Sequence, residues 1–417
     1  MAAQTGVIET GTCLQDTSII CLANAAWDAT SRVNCHHIMA RLAPANRVLF
    51  VETIGGRRPG LTSARDYGKV ARRLRRFAGG ARQVSPNLHV LSPLALPGFA
   101  GALTARLNAA LLRVQIEAAA RRLFAATVSR LVWVFTPVFG RLAWQLPSSL
   151  LVYQCIDEHS AYPGAPTHSV AELEQALMRR ADIVITSSNT LYEDRRRLHP
   201  QVVCLPNVAD APHFSRALRP ETQVPDEISR LPKPIAGFIG NVSSFKVDFG
   251  LLAGLARRNP EWTFVLIGEV GIGEAQTDLA QLRALPNIIL TGPRPYAELP
   301  AYLKGFDVCL IPFQLNALTR GVFPMKFFEY FASGKPVVAT PLPTLQDYAA
   351  HCRLTAGVED FSAALRQAAS EDVTAAKVAA RVQLALDHSW DERMVQLSRV
   401  ICPVLRQKLT AVGRTLP

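Results

Sequence analysis

The chain has 417 residues, of which 49% are hydrophobic and 19% charged, with a formal net charge of +12. That balance describes a globular protein with ample core material and room for two or three domains. It excludes a membrane-spanning helix, because the longest apolar runs break well short of the ~20 residues a bilayer requires; the 94–112 stretch is interrupted by Pro97, Gly98 and Arg106. The first residues, MAAQTGVIETGTCLQ, lack the basic start and apolar run of a cleaved secretion signal. Cysteines at 13, 21, 35, 155, 204, 309, 352 and 402 form no CxxC pair and no His/Cys zinc spacing, so free thiols in a reducing cytoplasm are expected. The positive charge is mostly arginine and it is clustered, which attracts nucleic acid, an acidic substrate or an anionic lipid.

The first half alternates short apolar runs with helical patterns. Residues 17–23 (TSIICLA) read as a buried strand, 36–42 as a helix and 47–52 (RVLFVE) as a second strand, completing a βαβ unit. Asn34, His36 and His37 stand where ligand loops of doubly wound sheets gather, after the first strand. Adjacent helix positions face different ways, so at most one of the two histidines points into a cleft, and His37 is taken as a catalytic candidate. Arg65, Lys69, Arg72, Arg73 and Arg76 form a helical stripe beside Val70, Leu74 and Phe77, closed by Gly79 and Gly80. Such a helix either lies on an anionic membrane surface or packs its apolar stripe on its own domain. Residues 88–91 are a candidate strand, and a long helix is expected over 104–126 with Leu107, Leu111, Val114 and Ala118 on one face. Strands follow at 131–135 (LVWVF) and 150–154. Asp157, Glu158 and His159 come after the second of these, at the strand end where open α/β sheets hold ligands, and Asp157 is the second catalytic candidate. Helices at 172–180 and 188–198 flank a strand at 183–186. Residues 216–234, with four prolines and little apolar content, read as an interdomain linker.

The second half starts again with a strand at 234–239. Gly240, Asn241 and Lys246 follow in a turn where a glycine admits a diphosphate to the backbone and a lysine neutralises it; a plain turn with an exposed lysine would look similar. Strands at 263–267, 287–290 and 308–311 alternate with helices and lack period-two patterning, as in a parallel sheet covered on both faces. Residues 322–340, VFPMKFFEYFASGKPVVAT, read as loop, short helix, turn and buried strand. Pro324 suits the first helical turn and Gly334 the helix end, while Lys326 and Glu329 share a face at i, i+3. The backbone of Phe323, Pro324 and Met325 is a candidate anion site at a helix start, with Glu329 beside it for hydroxyl groups. A core helix carrying a surface ion pair is the plainer alternative.

Pro324, Lys326, Glu329, Tyr330, Ala332, Gly334, Pro336, Val337 and Val338 match in order the P-x-K-x-x-E-Y-x-A-x-G-x-P-V-V pattern of group 1 (family 4-type) glycosyltransferases, which the chain therefore resembles. The segment 206–214 is similar to that family's P-N-x-x-D-x-x-H-F, and 240–246 to its phosphate turn. The resemblance implies a GT-B fold: α/β, two Rossmann-like doubly wound parallel-sheet domains facing across a cleft. Its expected parts are an acceptor domain over 1–215, a linker over 216–233, a donor domain over 234–388 and a helix from 389 crossing back to the first domain. It implies a donor site of Gly240, Asn241, Lys246, Arg294, Tyr296, Arg320, Phe323, Pro324, Met325, Lys326 and Glu329, with Glu329 on the ribose and Arg294 and Tyr296 near the base.

The implied reaction moves a sugar from a nucleotide-diphosphate donor, UDP- or GDP-linked, to an acceptor hydroxyl with retention. No obligatory metal and no further cofactor are expected. The acceptor read from charge and analogy is a glycan or lipid-linked glycan of envelope or exopolysaccharide biosynthesis, reached by a cytoplasmic enzyme peripheral to the membrane through the 65–76 stripe. Many members carry a second Glu where this chain has Gly321. A nucleotide-sugar epimerase or hydrolase of the same fold and a non-catalytic binding relative are the alternatives. Nucleic-acid binding is not expected, because no aromatic-interleaved RNA motif or zinc finger accompanies the arginines.

Overall fold

A computed structural model describes residues 14–53, 77, 79–96, 102–124, 129–272, 274 and 277–414. The basic stripe from Arg65 to Arg76 lies outside the described residues. The chain builds two sheets. The first runs β3-β4-β2-β1-β5-β6-β7-β8, from β1 (Ser18–Leu22), β2 (Arg47–Val51), β3 (Arg82–Ser85), β4 (Leu88–Leu91), β5 (Arg130–Val134), β6 (Leu150–Cys155), β7 (Ile183–Thr186) and β8 (Val202–Cys204). All its neighbours pair in parallel except β3 with β4. The edge strand β3, RQVS, carries too little apolar character to be read from the sequence, and three of its four residues are exposed. The second sheet runs β11-β10-β9-β12-β13-β14, with β9 (Ile235–Ile239), β10 (Thr263–Ile267), β11 (Ile288–Gly292), β12 (Val308–Ile311), β13 (Val337–Ala339) and β14 (Arg353–Leu354), all parallel.

Strands β1, β6, β9 and β10 are buried at every residue, so runs such as SIICL and IAGFI show no alternation because both faces are covered. Strand order reverses between β1 and β5 in the first sheet and between β9 and β12 in the second. At each switch point a crevice opens at the carboxyl ends of the strands. Helix α1 (Asn34–Leu42) starts at the first, and Gly240 follows β9 at the second.

Two expectations fail in detail, and a third gains detail. Helix α2 (Ala102–Leu123) exists, but the face that packs is Ala109, Leu112, Ile116, Ala119 and Ala120, while Leu107, Leu111 and Val114 are exposed. Leucines lie all around this helix, so periodicity alone selects the wrong stripe. The stretch read as a linker packs along the second domain: Ala217 and Ile228 are buried in the core of the second sheet, and Lys304 Nζ donates to the Arg219 carbonyl at 2.7 Å. Its short 3-10 and α turns, Ser215–Leu218 and Asp226–Ser229, have too few residues to show a period. Finally, Cys402 is disulfide-bonded, against the expectation of free thiols, whereas Cys21, Cys35, Cys155, Cys204, Cys309 and Cys352 are free.

The chain crosses between domains twice, and the crossings touch: Ala209 pairs with Ser389, and its N–H donates to the His388 carbonyl at 3.2 Å. The second crossing leads into α3 (Trp390–Ala411), capped by Ser389. Its Trp390, Leu397, Ile401, Leu405 and Leu409 share one core with Ile19, Cys21 and Trp133 of the first sheet. No helix among the described residues is long and apolar enough to cross a membrane.

Candidate functional site

The segment matching the family pattern folds as α4 (Lys326–Ala332) followed by β13. Phe327, Phe328, Tyr330 and Phe331 are buried and fix the helix, and the Tyr330 hydroxyl accepts the Ile239 N–H at 2.9 Å, tying α4 to the end of β9. Gly334 ends the helix at φ +74, where a side chain would be strained. Lys326 and Glu329 are left half-buried at the mouth of β9. Nζ of Lys326 lies 5.1 Å from the ring centroid of Phe313 and 5.3 Å from that of Phe238; Nζ of Lys246 lies 5.2 Å from Phe313. Two ammonium groups thus share one aromatic ring, whose negative face offsets part of their repulsion. Burial and the charge of Lys246 pull Lys326 down towards neutrality, opposed by Glu329. Burial pushes Glu329 up, Lys326 opposes, and Asp210 adds to the rise. Two lysines on one ring, close enough for the charge of one to depress the other, form a locally positive patch beside Glu329.

Backbone contact at this turn is close. Gly240 adopts φ +155 and Gly268 φ +153, and a Cβ on Gly268 would sit 1.8 Å from the Gly240 carbonyl oxygen. The polar side chains of the turn, expected to offer donors to a ligand, are instead used within it. Asn241 donates to the Ile272 carbonyl (2.9 Å) and accepts from Ser243 (2.8 Å), while Ser244 donates to Glu274 through its N–H (3.1 Å) and hydroxyl (2.5 Å). Asn241 therefore shapes the turn that presents Lys246.

The first domain brings α1 to the same crevice. His36 is structural: Nδ1 accepts the Val33 N–H at 3.1 Å and Nε2 donates to the Ala26 carbonyl at 2.9 Å. His37 is stacked on Trp390 (4.9 Å) and meets the edge of Tyr296 (6.0 Å). Burial, and next the charge of Arg41, hold it far below its usual range, at about 2. Arg41 donates to Nδ1 at 3.4 Å, which leaves the proton on Nε2, a buried donor without a partner. Asp210 approaches Arg41 at 3.5 Å and His37 at 4.0 Å, and its charge reaches Glu329 and Tyr296. Tyr296 stacks on His213 at 4.4 Å, and its hydroxyl, like Oδ1 of Asn34, is buried without a partner among the described residues. Asp210, Arg41 and Trp390 were absent from the sequence-based site; the P-N-x-x-D-x-x-H-F segment was the signal for the first of them.

Asp157 accepts from the Tyr162 hydroxyl at 2.7 Å, and the Tyr162 ring meets Phe245 of the donor turn edge-on at 6.0 Å. Glu158 is committed elsewhere: burial would raise it, but the hydrogen bond and charge of Arg195 hold it below the usual carboxylate range. Arg195 bridges Glu158 (2.8 Å) and Glu174 (2.9 Å) inside the first domain. Arg294 is engaged with Glu227 at 2.6 and 2.9 Å and with Tyr302 at 2.9 Å, so its fork already has a carboxylate. Arg320 is exposed. Phe323, Pro324 and Met325 lie at the domain seam: Asn34 donates to Asn207 (2.8 Å), Asn207 donates to the Phe323 carbonyl (2.7 Å), and Met325 packs on the first core. Gly321 is buried there too. Its carbonyl accepts from Ser188 at 2.7 Å, and a Cβ would meet the Leu191 side chain at 3.1 Å, so a larger residue requires that leucine to shift.

Residues 233–371, which hold this crevice, match the family model described as glycosyl transferases group 1. The second domain is a group 1 glycosyltransferase domain. TuaH of Bacillus subtilis, a protein named as a glycosyltransferase of teichuronic acid biosynthesis, is 28% identical to the chain over 231 residues, 51% of this chain and 56% of TuaH. The match thus spans about half of that relative's length. Around the glycosyltransferase domain the whole chain has the GT-B fold. It superposes on sucrose-phosphate synthase from Thermosynechococcus elongatus with a TM-score of 0.66 at 16% identity, covering 93% of this chain and 98% of the other. The Anabaena protein HepE in complex with UDP-glucose superposes with a TM-score of 0.65 at 14% identity, covering 93% and 99%.

Proposed function

We propose that the chain is a glycosyltransferase that moves a sugar from a nucleotide-diphosphate donor, UDP-linked in the first instance, to an acceptor hydroxyl of an envelope glycan. The observation that carries this reading is the convergence of Lys246 and Lys326 on the ring of Phe313, with Glu329 one turn further along α4. The diphosphate lies against the two ammonium groups, and the Glu329 carboxylate accepts from ribose hydroxyls. Negative charge grows on the leaving diphosphate as the sugar–oxygen bond breaks, and two preset cations in a half-buried crevice stabilise it where water would have to reorganise. His37, neutral and with its proton on Nε2, serves as a hydrogen-bond donor to the transferred sugar; Asp157 faces the acceptor side. Transfer proceeds with retention, and the acceptor is lipid-linked. TuaH's name, the HepE complex with UDP-glucose and the net charge of +12 support the donor and acceptor classes.

Calorimetric titration with UDP, GDP, ADP and dTDP tests the donor site. One nucleotide is expected to bind in the micromolar range, and Lys246→Ala and Glu329→Ala each to weaken it about tenfold or more. No binding to any of the four by folded protein would sink the assignment.

The electrostatics add a pH prediction. Lys326 is pulled down towards neutrality in the empty site, and a bound diphosphate favours its charged form. Binding is therefore strongest below that depressed value and weakens as pH rises through it. Near neutral pH the lysine takes up a proton on binding, seen as a dependence of the binding enthalpy on buffer ionisation enthalpy. Glu329→Gln removes the group that holds Lys326 up and should increase that uptake. Equal enthalpies in PIPES and Tris for the Glu329→Gln protein would contradict it.

A further inference from the structure

Where the two chain crossings run side by side, a cavity of about 290 Å³ opens between Cys204 and Leu205 of the first crossing, Tyr348 of the second domain, and His388, Arg393 and Gln396 of the second crossing and α3. No residue of the donor crevice lines it. Arg393 is 6% exposed, and its Nε and Nη1 are buried without a hydrogen-bond partner among the described residues. A guanidinium taken out of water without an acceptor is costly, and such groups in folded proteins are ordinarily paired. Burial, the largest effect, pulls it down to about 10, which leaves it charged at neutral pH.

The neighbours do not supply the missing acceptor. His388 is occupied at both nitrogens: Nδ1 donates to the Leu384 carbonyl at 2.8 Å, and Nε2 accepts from the Tyr348 hydroxyl at 3.3 Å. Asp387 and Glu392 line the cavity only from its exposed edge, and Asp387 already accepts from Gln383 at 2.8 Å. Their charges are screened by water, whereas that of Arg393 is not. Arg393 also sits in the first turn of a 22-residue helix, where the dipole disfavours a cation and favours an anion.

We propose that this cavity is a binding site for a small oxyanion, a phosphate or a carboxylate group, held by the Arg393 guanidinium beside the Gln396 amide. The site is independent of the glycosyl-transfer reading. Because Tyr348 belongs to the second domain and α3 to the core of the first, an occupant touches both sides of the hinge and biases the angle between the domains.

The test uses full-length Lys246→Ala protein, in which one of the two crevice cations is gone. Inorganic phosphate and, separately, acetate are titrated while the heat of binding is followed. Saturable binding of at least one of them is expected, weakened roughly tenfold or more by Arg393→Met and less by Arg393→Lys. Responses that never saturate with either anion overturn the proposal. So does binding that survives Arg393→Met but is lost with Lys326→Ala, since that anion sits in the donor crevice. If Arg393→Met does not fold, Gln396→Trp fills the cavity and leaves the arginine in place. Loss of saturable binding in that variant supports the site, and its retention overturns it.

Discussion

Lys326→Ala is expected to lower turnover with a sugar donor carrying the nucleotide found by titration by roughly 10²–10³-fold, the cost of removing one preset group from a developing anion in other enzymes. The loss should fall on kcat, because the charge it meets grows as the sugar–phosphate bond breaks. The same substitution should leave the melting temperature unchanged or raise it. Lys326 is held down by burial and by Lys246, so the empty fold carries this cation at a cost. Activity falling while stability holds is the signature of a group kept for its ligand. Turnover within a few-fold of wild type would remove Lys326 from the leaving-group role and leave Lys246 as its only cation.

Gly268→Ala should be the most damaging single methyl group in the donor domain. A Cβ at that position lies 1.8 Å from the backbone carbonyl oxygen of Gly240, and φ is +153, a conformation L residues rarely adopt. Neither atom is at the end of a flexible side chain, so β9 and β10 must part at their carboxyl ends, where Gly240 donates to the Ile267 carbonyl at 2.8 Å. The expected cost exceeds about 3 kcal/mol, combining backbone strain with overlap. Gly292→Ala is the control. Its φ is +75 and nothing lies within 4 Å of its Cβ, so it should cost only about 1–2 kcal/mol. Chemical denaturation of both variants measures the difference; equal costs would show that the turn gives way more easily than its packing implies.

The parts of this molecule legible in the sequence are those in which one residue type answers one local demand. Strands such as SIICL and TFVLI announce burial on both faces, Ser389 announces a helix start, and the run from Pro324 to Val338 carries both its own helix signals and the family pattern. What could not be read depends on partners far away in the chain. Arg294 matches a base-binding position, yet Glu227, 67 residues earlier, occupies its guanidinium. Asn241 was expected to face a ligand and is used by Ile272. The buried face of α2 was misassigned because leucine and alanine surround that helix and only tertiary contact selects among them. Arg393 had no signal at all, since its isolation is visible only once the surrounding cavity is built. Gly321, by contrast, was noticed at once, but its neighbour across the seam, Leu191, is visible only with both domains in place.

The return of α3 to the first sheet has a consequence for how the protein is made. Trp390, Leu397, Ile401, Leu405 and Leu409 complete a core begun by Ile19 and Trp133, so the amino-terminal domain is missing one side until α3 leaves the ribosome. At ~5–20 residues per second, the about 190 residues from β8 to α3 take on the order of 10–40 s. Throughout that interval the second domain can finish its own core, whereas the first presents an uncovered apolar face to the cell. The order of synthesis is then the reverse of the order of completion, and a chain truncated before Trp390 fails first at its beginning.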